Sequence, residues 1–435
     1  MAGAATRVIN PAIGDDLAGQ LHRRICGRVR DDLEANALYL ARGETRVLLF
    51  SLDLLGYFQD DADVALARAV AEAAGMDARD VVVSCTHTHA GPETPGSLLA
   101  DVPKNHAYLE KLTTALVDCA REAKDAAHPA AAAWAAGRAH IGYNRRLTWA
   151  DGSASMYGDA SRPDFSGLEG PDDPSHAVLH VTTPEGGTVA VVHNNCCHST
   201  VLEGDTYSSA DYPGEARRLV RTGLGDDVPV LYLNGACGDV APWNMLEGKR
   251  PERATRLEQV GRSLADETLR LVADAKPRRD AELAHISEDV SVGVRLPTDE
   301  ELRRAEEVKA LGEEKAGRWE YVLSAWGVLK LQELFAADPT DVLTLHALRV
   351  GDCMIATNPC ELFCRYGLDI KRRSPAPVTM VSELTAGAKG YCPTPAAIAG
   401  GGYSGYVNAW CRLEPEAGRM VVERTASMLD RLWQR

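Results

Sequence analysis

Short apolar runs recur along this chain, and longer stretches with a helical spacing of apolar residues lie between them. The runs are rich in Val, Ile and Leu and cover residues 46–56, 80–89, 188–198, 228–238, 343–359 and 376–384. Runs of this kind are typical of strands buried on both faces. The Ala-rich amphipathic stretches cover residues 60–75, 105–127, 214–222 and 253–275 and predict covering helices. The alternation therefore predicts an α/β fold with a mixed β-sheet core covered by helices.

Two further segments differ from this pattern. Residues 298–337 form the most charged helical region and predict a solvated helical pair inserted between two sheet segments. The loop 148–174 is rich in Asp, Gly and Ser, and these two segments are the best candidates for lids or insertions. Neither a clean domain boundary nor an internal repeat is visible, so residues 1–435 are predicted to form a single domain.

Charge and composition narrow the classes of partner. The chain carries 47 basic and 62 acidic residues, a formal net charge of −15, which repels phosphate backbones and anionic membranes. The N-terminus lacks the apolar core of a signal peptide, and none of the 11 cysteines forms a CxxC pair. We therefore expect a cytoplasmic protein with a small-molecule substrate, no nucleic-acid partner and no membrane insertion. The sequence does not decide whether the chain forms a homo-oligomer.

The strongest chemical signal follows the second apolar run, where the sequence reads Thr-His-Thr-His-Ala-Gly-Pro over residues 86–92. Active sites of α/β sheets collect at the carboxyl ends of strands. Residues two apart on an extended chain point the same way, so His87 and His89 can face one cavity. Two structural histidines would give the same pattern, which is therefore not decisive alone.

Polar residues also follow the next two apolar strands. His198 comes after the strand 188–192, whereas His193 is predicted to pack within the sheet. Asp211 lies in a turn that leads into a helix, and capping that helix would explain it. Asp239 follows residues 228–233 in a Gly-rich segment, where it would either orient a metal-bound imidazole or belong to a plain turn.

Two later residues complete the set of candidates. Glu361 stands at a strand-to-helix switch between apolar neighbours, and burying its carboxylate requires a cation or strong donors. A helix cap is the competing interpretation. Tyr391 lies in the segment Lys-Gly-Tyr-Cys-Pro-Thr, which by itself resembles an ordinary loop.

Taken together and in order, these segments resemble the neutral/alkaline ceramidase superfamily through nearly the whole chain. The matching segments are residues 10–14, 51–56, 86–92, 143–145, 198–200, 210–214, 238–242, 359–363 and 390–394. The Thr-His-Thr-His-x-Gly-Pro segment is the most diagnostic of them. The resemblance implies a neutral-ceramidase-like catalytic domain.

The resemblance also implies a site and a reaction. One zinc ion per chain would be held by His87, His198, Glu361 and Tyr391. His89 and Arg145 would face the substrate carbonyl and stabilise its oxyanion during attack by metal-activated water. Residues expected to support the site or contact substrate are Asp53, Asp211, Asp239 and Ala241.

One departure from the family changes the expected substrate. Ala241 stands where ceramidases carry a serine with a catalytic or substrate-contacting role. This difference argues against ceramide and favours the amide bond of a small soluble N-acyl compound. Two alternatives remain open: a zinc-dependent ester or lactone hydrolase or lyase, and a non-catalytic member that binds a metal or ligand.

Overall fold

Three four-stranded sheets form the core, and all three have the same strand order. The computed structural model describes residues 1–57, 61–94, 102 and 104–434, without the side chains of 61–64. Each sheet belongs to one of three successive units, which we call the first, second and third unit.

The first unit contains β1 (Ala2–Val8), β2 (Glu34–Arg42), β3 (Thr45–Leu52), α1 (Asp61–Ala74), β4 (Val81–Cys85) and α2 (His106–Asp125). The second contains β5 (Ala131–Arg138), β6 (Ser175–Thr182), β7 (Thr188–Asn195), α3 (Asp211–Leu224), β8 (Val230–Asn234) and α4 (Arg253–Asp274). The third contains β9 (Leu283–Gly293), α5 (Asp299–Leu311), α6 (Gly327–Phe335), β10 (Thr340–Val350), β11 (Cys353–Thr357), α7 (Cys364–Arg373), β12 (Val378–Ser382) and α8 (Ala417–Trp433).

Shorter elements decorate this frame. The short strands are Asp16–Leu17, Arg24–Ile25, Arg28–Val29, Tyr143–Asn144, Arg146–Trp149, Ala154–Met156, Phe165–Leu168, Tyr207–Ser208, Val240–Ala241, Glu361–Leu362 and Tyr391–Cys392. The short helices are Ala78–Asp80, Glu313–Ala316, Arg318–Glu320, Tyr321–Trp326 and Pro395–Gly400.

Strand pairing repeats from unit to unit. The second and third strands of each unit form an antiparallel hairpin, and the first strand pairs antiparallel with the second. The fourth strand pairs parallel with the third, after a crossover that α1, α3 or α7 provides. The last residues of each parallel pair are partners, as in Asn195 with Asn234. The carboxyl ends of the third and fourth strands therefore lie at one edge of each sheet.

Both faces of the sheets are covered, as the apolar runs predict. One face of all three sheets packs into a shared cluster that includes Leu49, Val192 and Ile355. The opposite face is covered by helices of the same unit, for example by Leu116 of α2 and Leu429 of α8. Every residue of β4, β8 and β11 is buried. The predicted α/β fold with a mixed β-sheet core covered by helices is confirmed.

The charged region 298–337 lies between β9 and β10, which pair with each other along their full length. Its helix α5 begins with a capping box, in which Thr298 and Glu301 each bond the other's backbone N–H. The apolar run 343–359 holds two strands rather than one, because the turn at Gly351 and Asp352 folds it into the hairpin β10–β11. Within the described residues, no helix is long and apolar enough to cross a membrane.

Two glycines allow a matched test of the hairpins. Gly43 and Gly351 occupy the same turn position in the first and third units, with φ of 57° and 61°. A Cβ at Gly351 would lie 2.2 Å from the Trp134 ring, whereas a Cβ at Gly43 would meet open space. Gly43→Ala should cost about 1 kcal/mol of unfolding free energy through its positive φ alone. Gly351→Ala should cost about 1–3 kcal/mol more, because the ring must move. Urea denaturation of both variants checks this, and equal losses would contradict it.

Candidate metal centre

The carboxyl ends of the three parallel strand pairs meet at one place. His87 follows β4, His198 follows β7 and Glu361 follows β11, so each unit contributes one side chain. The Nε2 atoms of His87 and His198 lie 2.9 Å apart. Oε2 of Glu361 lies 3.5 Å from the first nitrogen and 3.3 Å from the second. These three side chains, distant in sequence, converge on one point.

Backbone carbonyls fix the orientation of three imidazoles. Each Nδ1 donates to a carbonyl oxygen, at 2.6, 2.8 and 2.7 Å for the pairs His87–Leu55, His198–Cys237 and His89–Gly19. A carbonyl only accepts, so the proton of each neutral ring is on Nδ1 and Nε2 presents a lone pair. Nε2 of His89 lies 3.3 Å from Nε2 of His87. The three Nε2 lone pairs therefore face one another, and none of the three rings places a proton between them.

A metal cation fits this arrangement. Lone pairs in such contact repel unless a cation lies among them, and locked neutral imidazoles are the form that metals bind. The separations of 2.9–3.5 Å among these atoms bracket roughly 3.3 Å, the spacing of neighbouring nitrogen ligands around tetrahedral zinc. Burial, followed by the charge of Arg145, lowers the pKa of His198 to about 3. Burial also holds the pKa of His89 well below its usual range.

Tyr391 and Arg145 border the same point. The short strands Glu361–Leu362 and Tyr391–Cys392 are parallel, with Glu361 and Tyr391 as direct partners. Nη2 of Arg145 donates to the Tyr391 hydroxyl at 3.3 Å and lies 3.0 Å from Nε2 of His198. Nη1 of Arg145 donates to the hydroxyl of Tyr157 at 2.9 Å. The guanidinium is thus held beside the converging donor atoms.

The structure therefore brings six predicted residues together. The predicted ligands His87, His198, Glu361 and Tyr391 and the predicted catalytic residues His89 and Arg145 lie around one cavity or in its floor. Besides Tyr391, His89 is placed to donate to the same ion, because it forms one group of metal-ligand atoms with His87 and His198. The division of these six into ligands and catalytic groups stays a prediction.

The cavity above this cluster has a volume of about 290 Å³, close to the lower end of small-molecule sites. Both segments predicted as lids or insertions reach its wall, through Met156 and Tyr157 of the loop 148–174 and through Trp319 of the region 298–337. The Tyr403 ring packs against Trp319 in a tilted arrangement and against Tyr391 edge to face, with ring centroids 5.4 and 5.5 Å apart. An aromatic wall therefore leads from the cluster to the surface.

Asp53 lies behind the site, outside the residues that line the cavity in the described structure. It is fully buried and forms an ion pair with Arg217 at 2.7 Å. It also accepts from the Thr86 hydroxyl at 3.2 Å and from the Glu34 N–H at 2.9 Å. Asp53 therefore anchors the segment that carries His87 and supports the site without facing it.

Among the described residues, the Asp239 carboxylate does not bond an imidazole, which was one of the two roles left open for it. Its carboxylate accepts from the Asn144 side chain at 2.8 Å and from the Cys364 N–H, at the start of α7, at 2.7 Å. The Cys237 carbonyl orients His198 instead. Asp239 still acts on the site, because its own carbonyl accepts the backbone N–H of Arg145 at 2.8 Å.

Asp211 and Ala241 are structural in the described part of the chain. Asp211 is the first residue of α3, whose N-cap Ala210 makes no side-chain cap bond, and its carboxylate accepts from the N–H groups of Leu202 and Tyr212. Ala241 is fully buried and pairs with Tyr143 between two short strands. Neither residue is among those that line the cavity, and contact of Ala241 with substrate stays a prediction.

Glu383 joins two parts of the site, although no sequence motif singles it out. Its Oε2 accepts the backbone N–H groups of Cys237 at 2.9 Å and Leu362 at 3.1 Å, and its Oε1 lies 2.9 Å from the Cys237 thiol. The Glu383 carboxyl group thus fixes Cys237, which orients His198, and Leu362, which follows Glu361. The available signal was its position directly after the apolar strand β12.

Removing the Glu383 carboxyl should loosen the metal centre. Glu383→Ala leaves two buried N–H groups without an acceptor, and loss of such a supporting group typically weakens metal binding by about 10–100-fold. Glu383→Gln keeps one oxygen acceptor and should recover part of the affinity. Competition with a zinc chelator measures both, with Glu44→Ala on an exposed turn as the control. Unchanged zinc affinity in Glu383→Ala would show that the carboxyl does not position the ligands.

Comparisons with known proteins agree with this fold. No protein-family model matches the sequence, and no curated protein matches it. A solved ceramidase complexed with C2 matches with a TM-score of 0.73 at 15% identity, over 100% of this chain and 75% of that chain. Neutral ceramidase from Pseudomonas aeruginosa matches with a TM-score of 0.72 at 17% identity, over 99% of this chain and 74% of that chain. At such identities the likeness is one of fold.

Proposed function

Because the chain has the fold of the neutral ceramidases, we propose that it is a zinc-dependent hydrolase that cleaves the amide bond of a small N-acyl compound. The observation that carries this proposal is the convergence of three imidazole Nε2 atoms and the Glu361 carboxylate at the base of one cavity. The fold adds support, since solved structures that share it are ceramidases.

We assign the zinc ligands to His87, His198, Glu361 and Tyr391; the histidines follow the core strands β4 and β7, and the other two residues are partners on short parallel strands. When bound, the ion would lower the pKa of a water molecule and polarise the scissile carbonyl. The buried surroundings favour this use, because charge interactions strengthen where water is excluded. His87, His198 and Tyr391 are each no more than 4% exposed.

Arg145 is assigned to the carbonyl oxygen of the substrate. Its guanidinium lines the cavity and is fixed by the Tyr157 hydroxyl and by the Gly238 carbonyl, to which Nη2 donates at 2.9 Å. A donor fixed in advance stabilises the negative charge that develops on that oxygen without reorganising during the reaction. The geometry suits Arg better than Lys, because a planar fork can hold several acceptors at once.

His89 is assigned to proton transfer. Its ring lines the cavity, and its Nδ1–H is bound to the Gly19 carbonyl, which leaves Nε2 free to accept a proton. A neutral imidazole in this position can take a proton and give it to the leaving nitrogen. Amide cleavage requires this step, because the nitrogen would otherwise have to leave as the strongly basic anion R–NH⁻.

The cavity limits the size of the substrate. About 290 Å³ admits a small molecule but only part of a two-chain lipid. Ala241 is buried and lacks the hydroxyl of the serine that the resemblance to ceramidases implies at this place. We therefore assign to the protein a small N-acyl substrate rather than ceramide.

Metal content and product analysis test the proposal together. Wild-type protein should contain about one zinc per chain and release amine from N-acyl substrates. His198→Ala should lose both the zinc and the amine release, because it removes a donor from the centre of the cluster. His106→Ala, an exposed histidine at the start of α2, is the matched control and should keep both. Elemental analysis and an amine-specific fluorescence assay give the two readouts.

The same assay separates the alternatives. Acid release from esters without amine release from amides would favour an esterase. Zinc with no turnover of either class would favour a ligand-binding protein. Full amine release by metal-free His198→Ala would overturn the proposal.

The role of Arg145 is tested separately from metal binding. Arg145→Lys should keep the zinc but lower kcat by about 10²–10³-fold, the usual effect of losing a positioned oxyanion donor. Arg162→Lys, an exposed change in the same loop region, is the control. Kinetics together with elemental analysis of each variant measure the effect. Loss of zinc in Arg145→Lys would instead indicate that this residue supports the metal centre.

A further inference from the structure

Two carboxylates that the proposed reaction does not use line the same cavity. Glu93 follows the Thr-His-Thr-His segment, and Glu203 lies in the loop between His198 and α3. Neither belongs to a group of three metal-ligating side chains in the described residues. Their position therefore favours contact with a ligand over a second metal ion.

Glu93 is buried, and no donor in the described part of the chain bonds its carboxylate. The residue is 8% exposed, and its backbone N–H binds the Asp16 carbonyl. Burial, and then the charge of Asp16, raises the pKa of Glu93 to about 7, although the charge of Arg24 lowers it in part. A buried carboxylate at a cavity wall with no donor is stabilised when a cation enters.

Within the described residues, the Glu203 carboxylate accepts one hydrogen bond, from a neutral side chain. Its Oε2 accepts from the Gln20 side chain at 2.9 Å, and both residues line the cavity. Burial raises the pKa of Glu203 even though Arg145 lowers it in part. One hydrogen bond from a side-chain amide leaves most of the acceptor capacity of a carboxylate unused.

Arg24 is a buried cation whose charge acts on both Glu93 and Glu203. It is 3% exposed, and its guanidinium donates to the carbonyls of Asp205 and His89 at 2.8 Å each and to that of Ala18. It forms no ion pair within 4.0 Å of a carboxylate among the described residues. Arg24 therefore offsets part of the charge of the two carboxylates without bonding either of them.

Apolar groups also line the cavity. They are Leu55, Leu384 and Ala388 and the aromatic rings of Tyr403 and Trp410. The lining therefore combines two carboxylates with apolar surface, beside the histidine cluster and Arg145. A ligand that satisfies both parts of this lining has a positive charge and an apolar group.

We propose that Glu93 and Glu203 form a subsite for an organic ammonium group, so that the substrate is an N-acyl compound whose amine part carries a second, protonated amine. This inference rests on the proposed amidohydrolase function. The acyl group then lies along Leu55, Leu384 and Ala388, and the ammonium lies between the two carboxylates. The aromatic rings of Tyr157 and Trp319, which also line the cavity, provide further attraction for a cation.

A pair of isosteric substrates tests the subsite. N-acetyl-1,4-diaminobutane carries an ammonium where N-pentylacetamide carries a methyl group. The zinc-loaded protein should favour the cationic compound in kcat/KM by at least about tenfold, as expected for a charge that gains a buried ionic partner. Glu203→Gln and Glu93→Gln should each bring this preference toward one. Glu185→Gln, an exposed turn residue, removes the same charge elsewhere and should keep the preference.

Direct binding keeps this inference separate from the proposed function. Calorimetry should show tighter binding of N-acetyl-1,4-diaminobutane than of N-pentylacetamide, and Glu203→Gln and Glu93→Gln should each weaken binding of the cationic compound. If neither compound is hydrolysed but this binding difference is found, the hydrolase proposal fails and the ammonium subsite stands. If the protein hydrolyses or binds both compounds equally and the two variants change nothing, the subsite is overturned.

Discussion

The parallel pairing of the third and fourth strands in each unit is the constraint on which the site depends. It brings the carboxyl ends of two strands to one edge of each sheet, and the three edges meet. His87, His198 and Glu361 each come from one of these edges. Backbone carbonyls then fix the histidine rings, so the positions of the donor atoms follow from the sheets rather than from flexible loops.

One buried carboxyl group in each unit stabilises this meeting point. Asp53 holds the segment of His87, Asp239 holds the start of α7 and the backbone of Arg145, and Glu383 holds Cys237 and Leu362. Each accepts N–H or hydroxyl groups that would otherwise be buried without partners, and such groups are costly when unsatisfied. Burial also raises the pKa of Asp239, to about 6, which shows that its bonds only partly offset desolvation.

The local pattern of the sequence predicts elements well and their partners poorly. Apolar runs and amphipathic stretches locate the sheet strands and helices because burial acts residue by residue. The repeat of three units is invisible, since strand pairing depends on topology and not on residue identity. The partners of Asp239 could not be predicted for the same reason, because Cys364 lies 125 residues away. The acceptors of the histidine rings are backbone carbonyls, which every residue has, so no sequence signal marks them.

Core strands and the connections between them contribute different parts of the site. His87, His198 and Glu361 follow core strands, whereas Arg145 and much of the cavity wall, including Tyr157, Glu203 and Trp319, come from connections between core elements. Such connections tolerate change because few buried contacts depend on them. A chain that keeps the core and its strand ends can therefore keep the reaction while its connections alter charge and volume around it. If the substrate has diverged but the chemistry has not, we expect the combination found here: an acidic cavity wall beside a core with the ceramidase fold.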